Sequence, residues 1–148
     1  MKLTINIADQ YTELEITVNY SRMDDELNKL VSSIKMYDMK IPGRKEGREC
    51  VLEIADIVYI ESFEKRTFLY TLTDTFENNF KLFELEEKLI NRGFLRTSRN
   101  CLVNTNFIKS IQTETNSRLI ITLPNEIKLI VSRLYATEIK QKLEELYV

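Results

Sequence analysis

Histidine and tryptophan are absent from this chain, and glycine, proline and cysteine are rare. Without an imidazole there is no histidine-dependent catalytic triad, no histidine-ligated zinc and no histidine pH switch. Three glycines scattered at positions 43, 47 and 93 cannot form a glycine-rich phosphate-binding loop. Because only two thiols exist, a cysteine-rich metal site is excluded, and a metal would have to be held by carboxylates alone.

The two cysteines and the lack of long apolar runs bear on where the protein acts. Cys50 and Cys101 are too few for a disulfide framework and indicate two reduced thiols. No run approaches the roughly 18 apolar residues of a membrane-spanning helix. The first six residues alternate between polar and apolar types, unlike the apolar region of a secretory signal. We therefore expect a cytoplasmic protein.

The chain does contain enough apolar residues to build a core. Its 148 residues are 43% hydrophobic and 30% charged, which fits one domain or one domain with a small extension. The net charge of −2 is an average over the whole chain and leaves room for a local basic patch. The positions of the cations in the sequence are therefore more informative about a basic patch than the net charge of the chain.

The beginning of the chain has the pattern of a strand–strand–helix unit. Alternating polar and apolar residues predict half-buried strands at 3–7 and 14–18, joined by a turn at Asp9–Gln10. Ser21 is the expected N-cap of the following helix, with Asp24 as the acid of a capping box. One apolar stripe defines this helix, formed by Met23, Leu27, Leu30, Val31 and Ile34.

Pro42–Gly43 predicts the turn that closes this extension, so we divide the chain into residues 1–43 and a strand-rich domain of residues 44–148. Short apolar runs predict strands at 50–52, 57–60, 67–73, 94–96, 107–111, 119–123 and 127–131, with hairpin connections at 61–66 and 124–125 and a tight turn at 103–106. A middle helix that ends at Gly93 is expected to bury Leu82, Phe83, Leu85, Leu89 and Ile90. A last helix starts near Ser132 and has the apolar stripe Tyr135, Ile139, Leu143 and Leu146. The class is α+β with strands dominant.

Nothing in the sequence favours catalysis. Acidic residues cluster at 84–87 and 144–145, on the solvent faces of predicted helices. Ser62 and Cys101 lack a histidine that would activate them as nucleophiles. We therefore expect no enzymatic activity, no cofactor, no metal and no small-molecule substrate.

Cations collect instead just before the strands of the strand-rich domain and at predicted loop tips, which are free to meet a partner. They occupy positions 44, 45 and 48, the hairpin tip at 65–66, the segment 92–99 and the start of the last helix at 133. Arginine binds guanine and asparagine binds adenine in the major groove of DNA, and a helix start offers N–H groups to a phosphate. Arg96 has a second interpretation, because it could pair with an acid of the middle helix.

Five motifs, in order, resemble the LytTR family of bacterial DNA-binding domains. They are Ile57–Ser62 (IVYIES), Leu82–Leu89 (LFELEEKL), Phe94–Asn104 (FLRTSRNCLVN), Ile108 with Ile111, and Leu129–Tyr135 (LIVSRLY). The resemblance runs from near Lys45 to the end of the chain. Without a receiver domain, the chain is similar to the short stand-alone members of the family.

The resemblance implies packed antiparallel sheets with a C-terminal helix, from which loops enter successive major grooves of DNA. Carried over by motif, the contacts to bases and phosphates come from three tips: Lys65, Arg66 and Thr67; Ser98, Arg99 and Asn100; and Ser132 with Arg133. Many family members have histidine in the first tip and serine at the position of Asn100, so the contacts there differ in kind. The remaining motif residues have structural roles, with Tyr59, Ile60, Phe94, Leu102 and Val103 in the core, Asn104 stabilising a turn and Tyr135 packing the last helix.

We predict a sequence-specific, double-stranded-DNA-binding transcription regulator of bacteria that acts on paired repeats. A homodimer and a small membrane-protein regulator are candidate partners, and residues 1–43 either extend the domain or serve association. The alternative is a protein-interaction or sensor module that a membrane or signalling partner controls, without DNA binding of its own. Three basic tips on one face would favour DNA, whereas scattered tips beside an exposed apolar patch would favour the alternative.

Overall fold

A computed structural model describes residues 1–37 and 39–146, with the side chains of Met36, Glu145 and Leu146 outside the description. In this part of the chain the elements are α1 (Asp25–Tyr37), β1 (Lys40–Lys45), β2 (Arg48–Glu53), β3 (Tyr59–Phe63), β4 (Arg66–Tyr70), β5 (Thr75–Asn78), α2 (Leu82–Leu89), β6 (Phe94–Ser98), β7 (Cys101–Asn104), β8 (Ser110–Thr113), β9 (Leu119–Thr122), β10 (Lys128–Val131) and α3 (Arg133–Leu146). None of the described helices is long and apolar enough to cross a membrane.

The strands form two antiparallel sheets. Seven strands make the large sheet, in the order β2-β1-β5-β4-β3-β7-β6, and three make the small one, in the order β10-β9-β8. One apolar core lies between the large sheet and α2, and a second lies where the two sheets meet α3. Because successive strand residues face opposite sides, β7 contributes Leu102 to the first core and Val103 to the second. The predicted strand-dominated α+β class, with packed antiparallel sheets and a C-terminal helix, is confirmed.

Most of the motif residues assigned to structure lie where the sequence places them. Ile60, Phe94, Leu102 and Val103 are buried, while Tyr59 is half-buried and stacks on Tyr70 with ring centroids 4.3 Å apart. The Asn104 side chain accepts the N–H of Asn106 at 3.1 Å and donates to the Ile57 carbonyl at 2.9 Å. Asn104 therefore stabilises the turn after β7, as predicted.

Residues 1–24 contain neither of the two strands that their alternation predicts. The turn between the expected strands does form, because the Tyr11 N–H donates to the Ala8 carbonyl at 3.1 Å. The flanking apolar side chains stay in solvent, however, with Leu3 81% and Leu14 80% exposed. A half-buried strand needs a surface that covers its apolar face, and the described part of a single chain provides none here.

Helix α1 confirms the predicted helix but begins later than expected. Asp24 caps it instead of Ser21, since the Asp24 carboxylate accepts the Leu27 N–H at 3.0 Å. Met23 precedes the helix and is 74% exposed, so it is not part of the buried stripe. The other four stripe residues are half-buried, and α1 lies against α3 and the short 3-10 turns at 54–56 and 90–92.

Pro42–Gly43 is not a turn, contrary to the sequence prediction, but lies within β1. Pro42 pairs with Val51 and Gly43 with Cys50. A Cβ at Gly43 would lie 2.9 Å from the Leu52 Cδ1 and 2.9 Å from the Phe76 Cβ, so the glycine permits a close approach of neighbouring strands. The domain boundary predicted between residues 43 and 44 therefore falls inside a paired strand.

Other boundaries differ in smaller ways. The strand expected at 67–73 ends at Tyr70, and a separate, unpredicted β5 follows it. Phe83 and Ile90 are 53% and 49% exposed, so only the leucines of α2 face the core. A 3-10 turn replaces the end of the predicted turn at 103–106, another occupies 124–126, and β8 begins only at Ser110. In α3, Ile139 and Leu143 are buried and Tyr135 is half-buried, whereas the predicted contact of Leu146 lies outside the described side chains.

Candidate nucleic-acid interface

The register of the large sheet brings the first two predicted tips to the same end of the molecule. Glu64–Lys65 turns the chain between β3 and β4, and Arg99–Asn100 turns it between β6 and β7. Strands β3 and β7 are neighbours, and the Ser62 N–H donates to the Asn100 carbonyl at 2.8 Å. The two hairpins thus lie side by side, about two inter-strand spacings, or roughly 10 Å, apart.

The third tip is joined to this end through the start of α3. The Ser132 N–H donates to the carbonyl of Thr97 at 3.0 Å, one residue before the second tip. The Ser132 carbonyl in turn accepts the N–H groups of Tyr135 and Ala136, which places Ser132 at the N-cap position of the helix. All three predicted tips therefore lie at one end of the molecule, the arrangement that favours DNA over the alternative.

The first tip is a tight two-residue turn in which the predicted residues differ in availability. Glu64 and Lys65 both have left-handed backbone conformations, with φ of 50° and 64°, as a hairpin turn of this length requires. Lys65 is exposed at the apex. Arg66 forms a two-pronged ion pair with Glu77, at 2.8 and 2.7 Å, which lowers the pKa of that carboxyl. Thr67 is only 4% exposed, on the core side of β4, so the candidate interface excludes it.

The second tip is held in place from below by Arg96. Its guanidinium donates through Nε to Glu86 Oε2 of α2 at 2.9 Å and through Nη1 to the Arg99 carbonyl at 2.6 Å. Arg96 therefore pairs with a helix acid, which is the second of the two roles considered for it, and supports the turn. Within the turn, the Asn100 N–H donates to the Ser98 hydroxyl at 3.3 Å. The side chains of Arg99 and Asn100 are left exposed.

A further arginine, Arg118, lies beside the second and third tips, and sequence reasoning missed it. Val131 pairs with Leu119, so Arg118, which precedes β9, lies next to Ser132, which follows β10. An open depression of about 700 Å³ is lined by Ser98, Arg118, Ile130, Ser132, Arg133 and Leu134. No local motif marks Arg118; its position depends on the pairing of two strands whose register the sequence alone does not fix.

The cations at this end are largely free of internal partners. Among the described residues, the side chains of Lys65, Arg99, Arg118 and Arg133 have no ion pair or hydrogen bond, and all four are exposed. Lys45 and Arg48 lie at the opposite end, because β1 runs antiparallel to β5, which ends beside the first tip. There Lys45 pairs with Asp74 and Arg48 is exposed, whereas Arg44 lies beside Glu77, the carboxylate that also binds Arg66 of the first tip.

The thiols offer no nucleophile at this surface. Both cysteines are free, and Cys101 is buried beneath the second tip. Burial raises the pKa of the Cys101 thiol to about 11, so it stays protonated at neutral pH. In the described ranges, the acidic and cysteine side chains form no cluster suited to a metal ion.

Comparison with known proteins agrees with this geometry. The sequence profile of the LytTr DNA-binding domain matches residues 47–144. Proteins named HTH-type transcriptional regulators from Staphylococcus aureus strains MSSA476 and NCTC 8325 are 24% identical to this chain over 145 residues, which is 97% of the chain and 98% of each relative. The sensory transduction protein LytT of Bacillus cereus is 31% identical over 111 residues, which is 75% of this chain and 44% of that protein.

A solved structure shares the fold. It is the LytTr DNA-binding domain of a methyl-accepting/DNA response regulator from Bacillus cereus, with a TM-score of 0.67 and 25% identity over 70% of this chain and 95% of that one. The described helices of this chain are separated by strands and form no helix-turn-helix, so the name of the Staphylococcus relatives does not describe its fold. On its profile match, its fold and the tips that the fold brings together, the chain belongs to the LytTR family of DNA-binding domains.

Proposed function

We propose that this protein regulates transcription by binding specific sequences of double-stranded DNA through the end of the molecule where the three tips meet. The observation that carries the proposal is the convergence of Lys65, Arg99, Arg118 and Arg133, which come from four separate connections and are free of internal partners among the described residues. Exposed cations without partners retain their full charge for the phosphate backbone. Their clustering at one end makes a basic surface on a chain whose net charge is −2.

The residues of this surface divide into base-reading and phosphate-binding groups. Arg99 and Asn100 occupy the exposed apex of the second tip, and their fork-shaped and amide side chains suit the edges of guanine and adenine. Arg133 extends the base-reading group from the start of α3. Lys65 and Arg118 lie on either side of it and bind phosphates, as does the free N-terminal turn of α3.

Arg66 has a smaller role than its neighbour Lys65. Its guanidinium is already paired with Glu77 and lies over the Phe68 ring at 5.3 Å. A phosphate contact would require it to leave this carboxylate, so we propose that Arg66 stiffens the first hairpin and adds little to DNA affinity. Ser98 and Ser132 supply hydroxyl groups at the floor between the tips.

The protein acts in the cytoplasm, without enzymatic activity, and two copies bind the two repeats of a site. Each chain has one proposed DNA-binding end, which supports the binding of two copies. One copy covers one repeat, so two copies are needed to read paired repeats.

Salt-dependent binding to a generic duplex tests the interface without knowledge of the site. Fluorescence anisotropy would follow a labelled duplex titrated with wild type, Lys65→Ala, Arg118→Ala and the control Arg48→Ala, which removes an exposed arginine at the opposite end. Removing one phosphate-binding side chain should lower the slope of log affinity against log salt by about 0.9, and Arg48→Ala should leave the slope unchanged. Equal effects of all three substitutions, or no binding at low salt, would refute the proposal.

A further inference from the structure

The first twenty residues form an arm that the DNA interface leaves unexplained. Their apolar side chains lie in solvent, with Met1, Leu3 and Ile7 each more than 80% exposed. Every hydrogen bond that the described arm makes stays within residues 8–26. An exposed apolar row of this length is unusual on a monomer and marks a contact surface.

The one turn in the arm sets which residues face each other. Counting back from the bonded pair Ala8 and Tyr11, Ile5 falls opposite Leu14, and Leu3 falls opposite Ile16. With that register one face of the two segments is apolar except at Thr12. Its apolar side chains, which we call the apolar row, are Leu3, Ile5, Ile7, Leu14, Ile16 and Val18. The other face is polar and carries Lys2, Thr4, Asn6, Glu13, Glu15 and Thr17.

The turn also explains why a single chain does not close this hairpin. Two-residue turns that keep the strands of a hairpin together need a central residue with positive φ, and neither Asp9 nor Gln10 has one. The turn at Asp9–Gln10 therefore splays the two segments that it joins. No strand pairing occurs within residues 1–20. A lone two-stranded hairpin would in any case be marginal in water, because nothing covers its apolar face.

We propose that the arm is completed by the arm of a second copy of this chain, with residues 1–8 of each copy pairing with residues 12–20 of the other. Charge favours this choice of partner segment: Lys2 lies on the first segment, whereas Glu13 and Glu15 lie on the second, so unlike segments attract. The exchange is two-fold symmetric and closes on itself as a dimer. The two mixed strand pairs then pack their apolar faces against each other. With roughly 80 Å² for each apolar side chain, this packing buries about 600 Å² per copy, near the lower end for a specific interface.

The arm lies outside the DNA-binding domain, whose profile begins at residue 47, yet the Staphylococcus relatives align over nearly the whole chain. A dimer held by the arms keeps the two domains free to bind separate repeats. That use of the dimer rests on the proposed function, whereas self-association of the arms does not.

Sedimentation equilibrium without DNA, over the micromolar range, tests the proposal on the full chain. Ile5→Lys and Leu14→Glu place a charge in the apolar row, while Thr4→Lys and Thr17→Glu change the polar face as matched controls. We expect wild type and both controls to form dimers, and each apolar-row variant to dissociate at least about 100-fold more readily. At concentrations where wild type is also monomeric, the circular dichroism of all variants should match it, because the described arm of a single chain forms no hydrogen bond beyond residue 26.

A mixture of the two apolar-row variants tests the exchange itself. In the mixed dimer, the lysine introduced by Ile5→Lys in one copy faces the glutamate introduced by Leu14→Glu in the other. An unaltered pair forms the second contact, so dimers should return. The introduced lysine and glutamate thus compensate each other only between copies, and a mixture that stays monomeric would overturn the reciprocal pairing.

Three other outcomes would also overturn the proposal. The first is a wild-type protein that remains monomeric throughout the range. The second is apolar-row variants that associate as tightly as wild type, which would place the interface elsewhere. The third is a monomeric wild type that binds phosphatidylglycerol vesicles through the arm, which would make the occupant a lipid surface. The DNA titration described above is separate, because it reports on the tips and not on the arms, so either result can fail while the other stands.

Discussion

Arg96 gives the most instructive perturbation, because it supports the second tip without lying on the surface that meets DNA. Replacement by methionine removes the bonds of Nε and Nη2 to Glu86, at 2.9 and 3.4 Å, and that of Nη1 to the Arg99 carbonyl, at 2.6 Å. The Arg96 and Glu86 side chains are 16% and 32% exposed, so solvent screens the pair only in part. Hydrogen bonds to charged groups contribute about 1.5–3 kcal/mol each, and since methionine keeps the packing, we expect a net loss of about 2–3 kcal/mol.

Urea unfolding and DNA binding together test this reasoning. The loss in stability corresponds to a melting temperature about 6–10 °C lower. Affinity for DNA should fall about tenfold, because a turn that is no longer held must be ordered on binding. Arg48→Met, at the opposite end of the sheet, should change stability by less than about 0.5 kcal/mol. If Arg96→Met unfolds at the same urea concentration as wild type and binds DNA equally well, the supporting role is wrong.

Three further predictions concern the sheet and its turns. Gly43→Ala should lower the free energy of unfolding by about 1–3 kcal/mol in urea titrations, because the added methyl overlaps side chains of two neighbouring strands; an unchanged midpoint would contradict the close approach. Lys65→Gly should raise the free energy of unfolding by about 1 kcal/mol, because glycine adopts the left-handed conformation without strain, and it should weaken DNA binding. Glu64→Asn should also stabilise the hairpin but leave the DNA affinity intact. Arg66 lowers the pKa of Glu77 in the folded state, so the pair stabilises the fold fully above the ordinary pKa of 4.5. This stabilisation is lost as the pH falls through the lowered pKa of Glu77. Glu77→Gln should therefore make unfolding less sensitive to acid, as measured by circular dichroism over a pH series.

The sequence predicted the strand-rich domain well because its signals are local. The strands of the first hairpin, the leucines of α2 and the start of α3 follow from residue type and spacing, and Gly93 ends the segment after α2 with φ of 90°. The three tips could be named from charge and motif. Their convergence at one end could not, because it depends on β3 pairing with β7 and on the bond between Ser132 and Thr97.

The failures of prediction have physical causes as well. Alternation at 3–7 and 14–18 describes an apolar face, but the face becomes a strand only where something covers it, and the described part of one chain offers no cover. Pro42–Gly43 looks like a turn from sequence, whereas in the fold the glycine accommodates the close packing of Phe76. Strand β5 was missed because it is short and mostly polar, and pairing on both sides stabilises it.

Selection of bound sequences from a pool of random duplex DNA tests the central claim most directly. It would be carried out with wild type, Arg99→Ala, Arg133→Ala and the control Arg48→Ala. We predict that wild type and the control enrich the same repeated sequence, while each tip variant loses preference at particular base pairs, at a cost of about 1–3 kcal/mol. No enrichment by folded wild-type protein at low salt, or an unchanged preference in both tip variants, would contradict the assignment of sequence reading to these tips.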